Sequence, residues 1–224
     1  MKFPPGPAVA TLLLLALSDT TQQAVAGPTA KPAPATLSFS VTARVSAKEA
    51  AGAASAPEQT INAKVYASGN RVRLESKLGG TPIVFLYAPP YAYKLLPTSK
   101  TGIRYSGSAL PVAGPGVNLP MLRNPAGMRA LLQKRGARHL ATARLGGALV
   151  DLYAANSFLF LGETYKAKAW LRRSDALPVR LELTSPKASV MVSWRDYQRG
   201  HVLPGRLFAV PPGYSIRAKT QPSG

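Results

Sequence analysis

Few side chains in this chain of 224 residues have the types that chemistry needs: two histidines, His139 and His201, nine carboxylates and no cysteine. A nucleophile set would require a serine, a histidine and a carboxylate in one place, and Ser157, His139 and Asp151 are the candidates to weigh. No G-x-S-x-G turn presents a serine, and the glycine-rich stretches follow neither P-loop nor dinucleotide spacing. Two histidines leave little for a histidine metal cluster. The lack of cysteine removes disulfides, thiolate nucleophiles, cysteine metal sites and a lipid-modified N-terminal cysteine together. His201, in Arg199-Gly200-His201, reads as a turn residue. The expectation is a protein that is not an enzyme, with no catalytic residue, no metal site and no cofactor.

Charge and apolar surface remain as the means of function. Lys and Arg number 28 against 9 Asp and Glu, a net charge of +19. Arg129, Lys134, Arg135, Arg138 and Arg144 cluster around one expected helix and the residues after it. Lys134 and Arg135 also suit that helix's C-terminal end, where cations meet the negative pole of the backbone dipoles. Such a basic face predicts attraction to an anionic membrane surface or a polyanionic envelope polymer. Nucleic acid is disfavoured as a partner, because no aromatic-rich strand motif for base stacking is present and the chain reads as exported.

Export is read from the first 26 residues. Lys2, an apolar run from Ala8 to Leu17 and Ala24-Val25-Ala26 before Gly27 have the order of a secretory signal peptide with an A-x-A cleavage site. The run is well short of the roughly 20 apolar residues that span a bilayer. Residues 27–36 follow as a Pro/Ala-rich linker, residues 37–219 as one folded domain, and 220–224 as a tail.

Within the domain, apolar residues alternate with polar ones along Leu37–Val45 and Ile61–Ala67. A turn at Gly69-Asn70 joins the second run to Val72 and Leu74, making a hairpin. Pro82–Tyr87 is a continuous apolar run, and Tyr91, Tyr93 and Leu95 alternate with Ala92 and Lys94. Ser106–Pro120 is too rich in Gly and Pro to be regular and reads as a long loop placed as a movable cover. Asn124-Pro125 starts a helix that carries Met128, Leu131 and Leu132 and stops at Gly136. Five more strands follow: Leu149–Tyr153, Tyr165–Arg172, Val179–Leu183, Ser189–Trp194 and Leu207–Val210. About ten strands with short connections and one helix imply a large antiparallel sheet. One face of every strand should line or fill its interior, which nominates Phe39, Val41, Val65, Val72, Leu74, Phe85, Tyr93, Val150 and Leu181.

The order of these motifs resembles the LolA/LolB-like periplasmic lipoprotein-carrier superfamily. The residues that carry the resemblance are the hairpin Lys64–Glu75, Asn124-Pro125 with Leu131-Leu132, Ala169-Trp170-Leu171 before Leu177–Glu182, and the tail Leu207-Phe208-Ala209-Val210-Pro211-Pro212-Gly213-Tyr214. The resemblance implies an α+β, mostly β fold: an antiparallel half-open barrel of about eleven strands around an apolar cavity, with one or more lid helices. It also implies a non-enzymatic carrier or binding protein for a lipid or the acyl chain of a lipoprotein. The alternative is an envelope structural or stress-sensor module that engages polyanions or a protein partner through its basic face. Where the carriers place an arginine and a proline that help hold the lid closed, this chain has Ser68 and Gly69, whereas Arg73 matches the later arginine of that motif.

Cleavage after Ala26 leaves a chain that begins at Gly27. Intact-mass measurement of protein recovered from its native envelope should return the mass of residues 27–224, and a mass that includes residues 1–26 would refute export by this signal.

Overall fold

The computed structural model describes residues 36–47, 57–106, 109–110, 117–118, 127–160 and 163–219. The signal peptide, most of the linker, the tail, the helix start at Asn124-Pro125 and much of the Ser106–Pro120 loop lie outside them. The described chain is almost entirely strand. The first meander runs β1 (Thr36–Ala47), β2 (Gln59–Ser68), β3 (Arg71–Leu78), β4 (Thr81–Ala88), β5 (Tyr91–Leu96) and β6 (Thr101–Ser106). Two-residue strands β7 (Ala109–Leu110) and β8 (Val117–Asn118) pair with each other, and helix α1 (Met128–Lys134) follows. The second meander is β9 (Arg138–Leu145), β10 (Ala148–Phe160), β11 (Glu163–Arg172), β12 (Pro178–Thr184) and β13 (Ala188–Arg199). A 3-10 turn at Gly205–Phe208 then leads to β14 (Ser215–Lys219).

Twelve strands form one sheet in the order β14-β6-β5-β4-β3-β2-β1-β13-β12-β11-β10-β9. The two meanders join through the antiparallel β1–β13 pair, and the margins β14 and β9 do not pair, so the barrel is open. The expectation of a mostly β, half-open antiparallel barrel holds, with corrections. β6, β9 and β14 are strands that the sequence does not announce, because they lack a clear alternating pattern. Leu207–Val210, read as a strand, begins in the 3-10 turn instead. β14 pairs parallel with β6, which its long return path permits.

Local sequence sets the turns. Gly79-Gly80 joins β3 to β4 with φ of 55° and 81°, the left-handed geometry of a type I′ hairpin turn whose twist matches its strands. Gly136, at φ 75°, ends α1: its N–H donates to the Gln133 carbonyl and the Ala137 N–H to the Leu132 carbonyl. That is a Schellman cap, and Leu132 and Ala137 supply its apolar contact.

Cross-strand register sorts side chains onto two faces. Leu37, Phe39, Val41 and Ala43 of β1 share the interior face with Ile61, Ala63, Val65 and Ala67 of β2, and α1 contributes Met128 and Leu132 to the same apolar cluster. The opposite face is polar where strands simply alternate, but it is covered at Val150 and beside the C-terminal segment. There Val84, Leu86 and Leu95 are buried as well: the 3-10 turn Gly205–Phe208 lies against β3 and β4, and Ile216 of the margin strand β14 meets Leu95 across Gly102. Phe208 is buried with the Arg71 guanidinium 4.9 Å from its ring centroid, and Arg73 donates to the Leu207 carbonyl at 3.1 Å. The continuous apolar run Pro82–Tyr87 thus belongs to a strand covered on both faces.

β14 docks through a glycine. A Cβ on Gly102 would lie 2.7 Å from Leu95 Cδ2, 2.8 Å from Ile216 Cδ1 and 3.1 Å from the Lys94 carbonyl oxygen. Gly102→Val should therefore push β14 off the margin and lower unfolding free energy by about 1–3 kcal/mol. Urea denaturation with hydrogen exchange tests this: faster exchange confined to β14 and β6 is expected, and an unchanged midpoint would refute this docking.

Candidate functional site

The interior face is the candidate site. Seven of the nine nominated residues belong to its buried apolar cluster: Phe39, Val41, Val65, Val72, Leu74, Phe85 and Leu181, all at most 1% exposed. Two do not. Tyr93 pairs with Leu86 and Arg104 on the outer face, and Val150 lies on the face opposite to its neighbours Asp151 and Tyr153. Both are errors of alternation. In a strand whose two faces are both covered, an apolar residue does not reveal which way it points. Register with Phe85 instead places Lys94 on the interior face.

Direct cross-strand partners build one row across the first meander: Phe39 opposite Val65, Val65 opposite Leu74 and Leu74 opposite Phe85. At 4.7–4.9 Å between strands, these four positions span about 14 Å. Large aromatic side chains close the interior at other points. Tyr197 packs on Phe39 with ring centroids 5.3 Å apart, and its hydroxyl donates to the Pro178 carbonyl at 2.8 Å. Burial pushes the Tyr197 phenol far above its ordinary range, against the lowering effect of Arg172, and burial also raises that of Tyr105. A neutral phenol is what an apolar interior requires.

The sequence placed α1 but not the contact that holds it. Asp151, on β10, is a buried carboxylate of the interior face. Its Oδ1 accepts from Thr142 Oγ1 at 2.9 Å and lies 3.5 Å from His139 Nε2, both on β9. Its Oδ2 lies 3.5 Å from Arg129 Nη2, on α1. Farther along, the Arg135 guanidinium stands 5.8 Å from the centroid of the Phe158 ring, so α1 is tied to β10 at two points. The signal that could have found this tie was Asp151 itself, an acid at an inward position of an apolar strand.

The basic residues divide accordingly. Arg129 and Arg135 are engaged with the sheet, and Lys134 is exposed in the last turn of α1. Arg138 and Arg144 lie on the exposed margin strand β9, on opposite faces, opposite Ala154 and Leu149. His139 and Asp151 do meet, but Ser157 is exposed six residues along β10 from Asp151, about 20 Å away at strand rise, so the three do not form a nucleophile set. A pocket of about 1110 Å³ opens where β3 turns into β4. Ile61, Leu78 and Ile83 reach it from the interior cluster, and Asn62, Glu75 and Arg195 from the other face.

No protein-family model and no curated protein matches the chain by sequence. Solved structures do match. An uncharacterised conserved protein from Thermus thermophilus is 13% identical, with 80% of this chain and 90% of that one covered and a TM-score of 0.50. A LolA superfamily protein from Nitrosomonas europaea is 14% identical over 77% and 90%, with a TM-score of 0.33. The lipoprotein LppX from Mycobacterium tuberculosis is 10% identical over 71% and 85%, with a TM-score of 0.35. An open antiparallel sheet with a helix over its interior is the architecture that the sequence resemblance to the carrier superfamily implies.

If Asp151 tethers α1, Asp151→Asn should loosen the helix while leaving the sheet intact. The ion pair is partly exposed, so its loss is worth at most about 1 kcal/mol, or some fivefold in local opening. Hydrogen exchange should show residues 128–134 exchanging up to about fivefold faster with β1–β4 unchanged. Unaltered helix exchange would mean that the packing of Leu132 alone holds α1.

Proposed function

We propose that the protein is an exported, non-enzymatic carrier or binding protein that holds the acyl chain of a lipid or lipoprotein against the interior face of its half-barrel. The observation that carries this reading is the unbroken apolar row Phe39, Val65, Leu74 and Phe85 on a face to whose cluster the short helix α1 contributes Met128 and Leu132. A row of about 14 Å suits a medium-length acyl chain. Each buried methylene favours binding by about 0.8 kcal/mol, so about a dozen suffice for micromolar affinity after the cost of association.

The residues of the row are covered in this structure, so access requires the cover to move. Helix α1 is built for that. It is only seven residues long, one partly exposed ion pair ties its start to β10, and Gly136 ends it sharply before β9. A short helix held by few contacts opens at low free-energy cost.

Protein purified gently from its native source should carry lipid detectable by native mass spectrometry and should bind a neutral apolar fluorophore that added lipid displaces. Phe85→Asp should abolish probe binding and also cost more than about 3 kcal/mol of stability, so circular dichroism must first show the variant folded. A milder change, Leu74→Ala, should weaken binding several-fold in a folded protein. Absence of copurified lipid together with absence of probe binding would refute the carrier reading.

A further inference from the structure

The interior row does not end at Phe85. Its next cross-strand partner is Lys94 on β5, which is opposite Ile103 on β6, which is aligned with Arg217 on β14. Partners in register share a face in both antiparallel and parallel pairs. The face assignment has an independent check, because the neighbouring row Leu95, Gly102 and Ile216 packs together on the other side. Lys94 therefore sits half-buried on the interior face with Phe85 on one side and Ile103 on the other.

Neither Lys94 nor Arg217 has an ion pair, a hydrogen bond or an aromatic partner among the described residues. Six carboxylates are committed elsewhere: Glu58 with Arg44, Glu75 with Arg73, Asp151 with Arg129, Asp175 with Arg172, Glu182 with Arg180 and Asp196 with Arg195. β5, β6 and β14 contain no acidic residue. Lys94 and Arg217 are two strand spacings apart, about 10 Å between backbones, a distance over which two long side chains can converge on one anion.

We infer that Lys94 and Arg217 form the head-group end of the ligand site, and that the ligand is an amphiphile with an anionic head, a carboxylate or a phosphate, whose chain lies along Phe85, Leu74, Val65 and Phe39. This rests on the lipid-binding reading above and adds the polarity of the ligand and its direction. The chain occupies the buried strands near β1, and the head faces the open β14 margin, where Arg217 is exposed. Lys94 supplies charge where water is partly excluded and Arg217 supplies a planar pair of donors, so a charged head is favoured over an uncharged one of the same chain length.

The test is displacement of bound Nile red, a neutral probe, at pH 8 by lauric acid and by methyl laurate, which share a chain and differ in charge. Lauric acid should displace the probe at about tenfold lower concentration than the ester. Lys94→Met with Arg217→Gln should erase that preference, leaving the ester unchanged, and Lys94→Arg alone should keep it. Circular dichroism of each variant guards against loss of fold.

Inorganic phosphate separates a lipid head from a free anion. Laurate binding that survives millimolar phosphate supports the amphiphile, and phosphate bound as tightly as laurate overturns it. Equal displacement by acid and ester overturns the head-group site while leaving lipid binding in place. If neither displaces the probe, or the probe does not bind, both readings fall.

Discussion

The chain leaves the first meander at β6, one strand from a sheet margin, and begins the second at β9, which is the other margin. Everything between must travel from one side of the sheet to the other, and that constraint organises the rest of the molecule. A connection that crosses a sheet has two routes, over one face or the other, and apolar burial selects between them. Met128 and Leu132 join the interior cluster, so α1 runs over the interior. The outer face of β3–β5 is reserved for the C-terminal segment, which has its own apolar anchors in Phe208 and Ile216. Of the described part of that link, α1 is what lies over the interior face of the open sheet.

The same division explains the two arginines of the hairpin motif. In the carrier pattern this region is associated with holding the lid, but here Arg71 and Arg73 point to the outer face and clamp the C-terminal segment at Phe208 and Leu207. The helix over the interior is tied instead by a different pair, Arg129 and Asp151, which approach from the helix and from β10. Guanidinium groups suit both places because they are planar, always charged and able to lie on an aromatic ring or reach a carbonyl. Ser68 and Gly69, which stand where the carriers have an arginine and a proline, are free to form a plain hairpin turn.

The surplus of positive charge also has an uneven structural meaning. Acidic residues are few and six of them face arginines, so the basic residues left over are distributed by the strands rather than gathered in one patch. Arg138 and Arg144 fall on opposite faces of β9, which weakens the notion of a single basic face around the helix. Lys94 and Arg217 fall on the interior side near the other margin, where an apolar row ends. Free cations beside apolar surface discriminate among ligands, whereas cations spread over a solvated surface mainly add a salt-screened attraction.

The sequence by itself determined the strand-rich class, the hairpin at Gly69-Asn70, the stop of α1 at Gly136 and most of the interior row. Each of these is written in a local pattern: period-two alternation, a turn glycine, a Schellman cap. It could not determine which way Tyr93 and Val150 face. Alternation carries information only when one face is wet, and on β4 and β5 Val84, Leu86 and Leu95 are buried on the outer face as well. It could not reveal β6, β9 and β14, whose short polar strands are held by their neighbours' backbones rather than by their own apolar pattern. Nor could it show the tie between Arg129 and Asp151, residues 22 positions apart, or the row that ends in Lys94 and Arg217. Those depend on register between strands distant in the chain, and register is fixed only when the whole sheet assembles, because hydrogen-bond pairing and burial of one complete face must be satisfied together.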